Sequence, residues 1–304
     1  MKTTTQKTVL AAMLAALCCV ATMIIKIPSP LKGYFNIGDH LIYCGAMAVL
    51  KKSRYQCVYQ SVVENIMDRK LLKDVVIVLS GGGNWGDGFY TPFRNRIISA
   101  FPENKIIILP QTIRYFGDAN LERDAALYAK HQNLHLCVRD NRSYEILEKY
   151  FSANNIYLLP DASVGLCDAL PKWEPKQQGK SLLLQRTDDE AALEPWSISN
   201  ADVKDWNTIL DELSFNKILY PYRGIRKIKK WIGADIMKQM ANRYLVSVME
   251  PFFIKKIPSY FQRYDKLYTT RLHGLLLAKL MNMPVEYQDT RYGKISGYCE
   301  TWFN

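Results

Sequence analysis

Beyond residue 36, short apolar runs alternate with amphipathic stretches along the chain. Four runs have the composition of strands buried on both faces: VVIVLS, KIIILP, LHLCVRD and NIYLLPD. The first ends before three glycines, the second at Pro110, the third in charged residues and the fourth in Pro-Asp. The segments GDHLIYCGAMAVLKK, PFRNRIISAF, RDAALYAKHQ and RSYEILEKYFS have the spacing of helices. This alternation is typical of βαβ units. It predicts a doubly wound parallel sheet up to about residue 168, with functional loops at the carboxyl ends of its strands.

A second α/β domain is predicted after the linker DALPKWEPKQQGK, which combines proline with several charges. There, SLLLQR and KILYPYR are predicted strands, IRKIKKWIGADIMKQMANRYLVSVM is basic helical sequence, and KLYTTRLHGLLLAKLMNMPVEYQ is a strand, turn, helix and strand. We therefore predict two Rossmann-like domains, residues 36–168 and 181–304. Ligands of such folds bind at strand carboxyl ends, which predicts a cleft between the domains.

Residues 1–35 form an apolar leader of a different character. The 17 residues from Val9 to Ile25 carry no charge and lie between Lys7 and Lys26, a length that is marginal for crossing about 30 Å of hydrocarbon. A signal peptide is disfavoured because no small-x-small cleavage site follows the run. Three interpretations stay open: a membrane anchor, a buried first strand from Val20 to Ile27, or an unrelated leader joined to the rest.

Composition narrows the classes of protein. With 304 residues, 48% of them hydrophobic and 23% charged, the chain is not a disordered one. Its seven cysteines include no CxxC pair and no His/Cys set at zinc spacing, which favours a reducing compartment and predicts no metal site. An Asp-based divalent site stays open. The net charge of +11 suits anionic lipids or small anionic substrates, whereas no nucleic-acid motif is present and no nucleic-acid partner is predicted.

Two glycine-containing segments are candidate substrate contacts. Asn36, Gly38 and Asp39 precede a predicted helix, so their backbone could receive an anion at its N-terminus. The alternative, favoured for this segment alone, is that Asp39 caps the helix. The second segment, GGGNWGD, follows a buried strand, and its glycines let the backbone approach a ligand. It is neither a Walker loop nor a GxGxxG turn. Its candidate residues are Gly82, Gly83, Asn84 and Asp87.

The segment TTRLHG, between a predicted strand and an apolar helix, offers the best candidates for chemistry. His273 would lie at the helix N-terminus, where the helix dipole favours the neutral imidazole that acts as a base. Arg271 supplies a fixed charge for a carboxylate or phosphate, and Thr270 is adjacent. Arg186, at the end of SLLLQR, either pairs with the acidic run of residues 187–190 or points into the predicted cleft.

Taken together, the segments resemble the polysaccharide pyruvyl transferase family over about residues 36–300. Eight motifs carry the resemblance in one order: NIGDH, GGGNWGD, LPQTI, VRDNRSYEIL, LLPDA, LLLQRTDDE, TTRLHGLLLAKLMNMP and YGKISGY. The leader is similar to the first helix of the substrate-binding component of energy-coupling factor transporters, including the small residues Ala11, Ala15, Ala12 and Ala16. A working transporter is excluded, because no later segment has the roughly 20 apolar residues of a further span.

The family resemblance implies two Rossmann-type domains in a GT-B-like arrangement and transfer of the enolpyruvyl group of phosphoenolpyruvate to a sugar, forming a pyruvate ketal. It implies that Arg271 and His273 contact or act on phosphoenolpyruvate and that Arg186 is also involved. Two arginines match a donor that carries a carboxylate and a phosphate. The expected acceptor is a glycan or a lipid-linked sugar, and no cofactor beyond the co-substrate phosphoenolpyruvate is expected.

Two other functions stay open. The fold would equally suit a GT-B glycosyltransferase using a nucleotide sugar, although no acidic residue is evident for the donor ribose. A non-catalytic, membrane-anchored glycan-binding protein is the second alternative. The basic stretch with Arg226, Lys227, Lys229, Lys230 and Trp231 either meets an anionic membrane or forms a solvated helix face whose isoleucines pack on the core. The predicted location is the cytoplasm, at the inner face of the membrane, where lipid-linked glycan precursors lie.

Overall fold

A computed structural model describes residues 22–26, 36–52, 56–61, 75–88, 90–175, 179–188, 190–191 and 194–303 of the chain. These residues form two compact units. The first contains the described residues among 45–165 and 296–303 together with strand 22–26, and the second contains the described residues among 36–44 and 166–295. The predicted limits 36–168 and 181–304 assign the first helix and the C-terminal residues differently, and the predicted cleft stays a prediction.

The elements follow in chain order. The strands are β1 (Thr22–Lys26), β2 (Gln56–Ser61), β3 (Val76–Leu79), β4 (Gly82–Gly86), β5 (Ile106–Arg114), β6 (Leu134–Val138), β7 (Asn155–Leu158), β8 (Ser181–Leu184), β9 (Ala201–Lys204), β10 (Lys266–Thr269) and β11 (Val285–Tyr287). The helices are α1 (Ile37–Lys51), α2 (Thr91–Ala100), α3 (Asp118–Tyr128), α4 (Asn141–Tyr150), α5 (Trp206–Glu212), α6 (Phe215–Lys227), α7 (Lys229–Ile232), α8 (Ala234–Tyr244), α9 (Glu250–Phe261), α10 (Leu272–Met281) and α11 (Lys294–Trp302). A 3₁₀ turn (Ala162–Leu166) follows β7, and a π-helical turn (Leu245–Met249) joins α8 to α9.

In the first unit, the described strands form a parallel sheet in the order β2-β1-β3-β5-β6-β7, with β4 paired to the end of β5. Strand β3 is buried along its whole length, and in β6 every residue except His135 is buried, as their largely apolar sequences predict. The core includes three packed aromatic rings, Trp85, Tyr128 and Phe151, whose centroids are 5.5 to 5.9 Å apart. The α/β class with parallel sheets, consistent with a Rossmann-like fold, is therefore confirmed.

The leader contributes a strand to this sheet. Thr22–Lys26 lies between β2 and β3 and pairs with both in parallel, which agrees with the interpretation of Val20 to Ile27 as a first strand. Within the described parts of the chain, no helix is long and apolar enough to cross a membrane. Most of the uncharged run from Val9 to Ile25 lies outside the described residues.

Two expectations for the first unit were wrong. The strand predicted to stop at Pro110 continues to Arg114, because a register shift between Ile108 and Gln111 accommodates the proline where it cannot donate to the sheet. The glycine-rich segment predicted as a loop is strand β4, which pairs with this extension of β5. Gly86 shows why glycine is needed there. Its φ is +120°, and a Cβ atom would lie 1.7 Å from the carbonyl oxygen of Arg114.

The second unit contains a parallel sheet in the order β11-β10-β8-β9 among the described strands. Leu182, Leu183 and Leu184 are fully buried in it, and the predicted strand, helix and strand of residues 266–287 are confirmed. KILYPYR is not a strand but part of α6. Its apolar residues follow the helical spacing of Phe215, Leu219 and Tyr222, which bury one face.

Candidate active site

Charged side chains collect at the carboxyl edge of the second sheet. Because β8, β9 and β10 are parallel, the residues that follow them emerge at the same edge. Arg186 follows β8, Asp205 follows β9 and Arg271 follows β10. The structure thus brings together two arginines that are 85 positions apart in the sequence.

Arg271 is buried and held by a carboxylate. Its Nε and Nη2 donate to the two oxygens of Asp205 at 2.5 and 2.6 Å, and the two residues are only 3% and 5% exposed. Burial raises the pKa of Asp205, but the hydrogen bonds and charge of Arg271, with bonds from the backbone of Trp206 and from Thr187, outweigh it, so that the net pKa is lowered. This bidentate pair fixes the plane of the guanidinium. Asp205 was not a candidate in the sequence, where nothing distinguishes it from any helix-capping aspartate.

Arg186 is the more accessible of the two arginines. Its side chain is 17% exposed and pairs with Asp188, through Nε, and with Glu190, through Nη1 at 2.6 Å. The pairing with the acidic run, considered as the simpler alternative, is therefore what the structure shows. Asp188 also lies 3.7 Å from Nη2 of Arg271, and the backbone N–H of Arg186 donates to Thr270 Oγ1 at 2.8 Å. Thr270, a predicted substrate contact, thus positions Arg186.

His273 is the second residue of α10 and lies directly against Gly38. A Cβ atom on Gly38 would lie 2.2 Å from Nδ1 of the imidazole and 2.7 Å from its Cγ. Only a glycine leaves room for the ring in this position. Two motifs that are more than 230 residues apart in the sequence, NIGDH and RLHG, therefore form one site within the second unit.

The start of α1 explains the other residues of NIGDH. Asn36 caps the helix, since its Oδ1 accepts from the backbone N–H of Gly38 at 3.1 Å. The expectation that Asp39 is the cap was wrong, because Asp39 is already the third residue of the helix, within its first turn. His40 is buried and stacks on Phe253 with ring centroids 4.3 Å apart, and burial lowers its pKa to about 3.

In the first unit, Asn84 of β4 belongs to a polar group between the end of β3 and the middle of β5. Its backbone N–H donates to Gln111 Oε1 at 3.2 Å, while Gln111 Nε2 donates to the carbonyl oxygen of Ser80 at 2.6 Å. Arg94 is 4% exposed, donates to the carbonyl oxygen of Asn84 and stacks over Trp85. A small pocket opens beside this group. It is lined by Leu79, Ser80, Gly81, Asn84, Tyr90, Phe93, Arg94 and Gln111.

The other predicted contacts of this segment have different positions. Gly82 and Gly83 belong to β4, and Gly82 adopts a φ of +127° that favours glycine. Asp87 holds a neighbouring loop: its two oxygens accept from the backbone N–H of Phe116 and from Asn120 Nδ2, both at 2.6 Å. The structure therefore gives Asp87 a local structural role.

A buried ion pair lies at the carboxyl ends of β6 and β7. Arg139 Nη1 donates to Asp161 at 2.5 Å, with 3% and 0% of the side chains exposed. Arg139 Nε also donates to Thr112 Oγ1, whose hydroxyl donates to Asp140. These residues lie in the LPQTI, VRDNRSYEIL and LLPDA motifs, for which the sequence predicted no role. In the described ranges, no cluster of His, Cys, Asp and Glu could hold a metal ion.

Comparisons with known proteins agree with this architecture. The chain is 33% identical to the putative pyruvyl transferase EpsO of Bacillus subtilis (strain 168), covering 88% of this chain and 82% of that one. It is 24% identical to pyruvyl transferase 1 of Schizosaccharomyces pombe, covering 88% and 67%. A solved structure of an uncharacterized protein from Klebsiella pneumoniae has a TM-score of 0.57 at 15% identity, covering 99% of this chain and 95% of that one, and so supports the fold alone.

Two family models match the chain. Residues 2–51 match the S component of ECF-type riboflavin transporters. Residues 36–285 match the polysaccharide pyruvyl transferase model, which covers all the residues described above at the edge of the second sheet. The chain belongs to the polysaccharide pyruvyl transferase family.

Proposed function

We propose that the protein transfers the enolpyruvyl group of phosphoenolpyruvate to a glycan or a lipid-linked sugar, forming a pyruvate ketal. The observation that carries the proposal is the cluster of Arg186, Arg271 and His273 at the carboxyl ends of β8 and β10, in a chain of this family. No cofactor is proposed. Phosphoenolpyruvate is the co-substrate.

The donor would bind by replacing carboxylates that the protein itself supplies. Asp188 and Glu190 neutralise Arg186, and Glu190 also accepts from Lys294 at 2.6 Å. A ligand with a carboxylate and a phosphate offers the same kind of oxygen acceptors as this pair of side chains. Arg271 would remain held by Asp205, so its guanidinium is oriented before the donor arrives.

The reaction needs proton transfers that His273 can perform in sequence. Two acceptor hydroxyl oxygens form bonds to C2 of phosphoenolpyruvate, the bond between C2 and the phosphate oxygen breaks, and the double bond is lost. One hydroxyl proton ends on the methylene carbon, which becomes a methyl group, and the other leaves with the phosphate. A histidine suits both donation and removal of protons near neutral pH.

Substrate contacts from the first unit are proposed for the segment of Gly82, Gly83 and Asn84. The pocket beside Asn84 combines the Tyr90 ring with the amide of Gln111 and the guanidinium of Arg94. Amide groups are suited to hydrogen bonds with sugar hydroxyls, and aromatic faces are suited to contact with the faces of the sugar ring. We place the reaction in the cytoplasm, at the inner face of the membrane, where a lipid-linked precursor would be found.

Phosphate release from phosphoenolpyruvate tests the proposal directly. The protein is incubated with phosphoenolpyruvate alone, with a glycan mixture alone, and with both, and phosphate and acid-labile ketal are measured. We expect phosphate release only when both are present, with one ketal formed per phosphate. Release of a nucleoside diphosphate from a nucleotide sugar under the same conditions would identify a glycosyltransferase. Glycan binding without turnover of either donor would identify a binding protein.

A further inference from the structure

The most exposed large apolar side chains of the second unit lie on two consecutive helices. Tyr220 on α6 is 78% exposed and Trp231 on α7 is 87% exposed, and Ile228 between the helices is 36% exposed. The next helix adds Ile236 and Met240, which are 55% and 42% exposed and lie one turn apart. Solvated helix faces normally carry such rings singly, so this run of exposed apolar residues marks an interaction surface.

Basic residues accompany the exposed rings. Residues 215–248 contain eight lysines and arginines and a single acidic residue, Asp235, so this stretch carries a charge of +7 out of +11 for the whole chain. Arg223 and Lys227 follow Tyr220 at helical positions i+3 and i+7 and are exposed, as Lys230 is beside Trp231. We call Tyr220, Arg223, Lys227, Lys230 and Trp231 the basic aromatic face.

The buried contacts of α6 are made by the side of the helix opposite the basic aromatic face. Phe215, Leu219 and Tyr222 are buried, and the rings of Phe215 and Phe253 lie 5.3 Å apart. The alternative that the isoleucines of this stretch pack on the core is only partly met, since Ile225 and Ile232 are half-buried while Ile228 is exposed. The exposed rings are therefore not required by the fold.

We propose that the basic aromatic face docks the protein on an anionic lipid bilayer. Lysine and arginine are attracted to the negative surface potential of such a bilayer, and tryptophan and tyrosine favour the zone between headgroups and acyl chains. The combination of basic residues and exposed rings on two consecutive helices fits a bilayer surface better than a soluble polyanion, which needs no exposed apolar rings. The proposal concerns residues outside the arginine and histidine site and does not depend on the reaction.

Sedimentation of the full chain with vesicles tests the docking. One set of vesicles is pure phosphatidylcholine and the other contains about one third phosphatidylglycerol. We expect binding to the anionic vesicles at low salt and release as salt screens the attraction. Each basic residue near the surface contributes about fivefold to the partition coefficient, so K227E/K230E should lower it by more than tenfold. Y220S/W231S should also reduce binding. When anionic vesicles are added, the blue shift of its tryptophan fluorescence should be smaller than that of the parent chain.

Matched controls come from the first unit. K130E/K149E makes the same change of net charge at two exposed lysines, and F116S removes a ring that is 72% exposed. Both should bind as the parent chain does. Equal binding to neutral and anionic vesicles, or equal loss in K130E/K149E and K227E/K230E, would overturn the proposal. So would tight binding of heparin with no binding of anionic vesicles, which would identify a soluble polyanion as the partner. Binding unchanged in both variants of the basic aromatic face would assign any sedimentation to another part of the chain.

Discussion

Replacing Gly38 by alanine should disable the enzyme through His273. The new methyl group would lie 2.2 Å from Nδ1, whereas ordinary contact begins at 3.4 Å, so the ring must withdraw by about 1.2 Å. Because α10 is anchored by Leu275, Leu276 and Leu277, which are at most 2% exposed, the ring rather than the helix has to move. A displacement of about 1 Å costs about 100-fold in rate, and we expect kcat to fall by this factor.

Steady-state kinetics with phosphoenolpyruvate and an acceptor provide the assay. Because the arginines are untouched, KM for phosphoenolpyruvate should change much less than kcat. Gly297→Ala is the matched control, since an added Cβ meets nothing within 4 Å there, and it should retain the parent kcat. Thermal unfolding of both variants shows whether a loss of rate reflects a loss of folded protein.

A double-mutant cycle separates positioning of His273 from a general structural role of Gly38. If Gly38 acts only through the imidazole, Gly38→Ala adds no further loss once His273 is alanine. Parent-like kcat in folded Gly38→Ala would refute the argument, because the ring would then tolerate the displacement. Losses that multiply in the double variant would also refute it, since Gly38 would act independently of His273.

Three further predictions concern the groups around this site. His273→Ala should fold normally and lose at least about 100-fold in kcat, as expected for a missing proton-transfer group; a folded variant with parent kcat in the phosphate-release assay would remove His273 from the mechanism. Arg186→Ala and Arg271→Ala should each weaken phosphoenolpyruvate about tenfold or more in isothermal titration, with only partial rescue by lysine. Unchanged donor affinity in both alanine variants would make the arginines structural. Only Arg271→Ala should also lower the free energy of unfolding, by about 3 to 5 kcal/mol, because it leaves Asp205 buried without its partner. Burial lowers the pKa of His40 to about 3, so stability is complete above about pH 6.5 and falls below it by up to about 1.4 kcal/mol per pH unit, down to pH 3. His40→Phe should flatten this dependence in urea unfolding, and an unchanged slope would contradict it.

The strands were predictable where composition alone decided them. VVIVLS forms a buried parallel strand because an apolar, β-branched run of this length suits a sheet covered on both faces. Pro110 misled the prediction because its missing N–H matters only if the neighbouring strand needs it, and a register shift removes that need. KILYPYR misled it because its rings favour strands locally, whereas the burial of Phe215 and Leu219 on one face selects the helix.

The sequence predicted which residues belong to the site better than it predicted which of them contact one another. The NIGDH and RLHG motifs each suggested a helix N-terminus, yet neither contains information that the imidazole of one lies on the glycine of the other. Such a contact depends on how α1 and α10 pack within the second unit, which involves residues far apart in the sequence. Gly38 was a candidate for an anion contact, which stays a prediction, and the structure adds a close approach to His273 that excludes every larger side chain at position 38.

The sequence does not determine which partner each charged side chain has. Arg186 and Arg271 each follow a strand of the second sheet, and each was a candidate for contact with an anion, with pairing to its own acidic run left open for Arg186. The structure distinguishes them by burial: Asp205 holds the 3%-exposed Arg271 along one edge of its guanidinium, and the 17%-exposed Arg186 pairs with carboxylates of its own loop. A buried bidentate pair resists exchange, because separating it leaves two desolvated charges. Pairs at a more exposed arginine are readily exchanged for a ligand's oxygens. In the proposed reaction, Arg271 would therefore orient the donor and Arg186 would admit it.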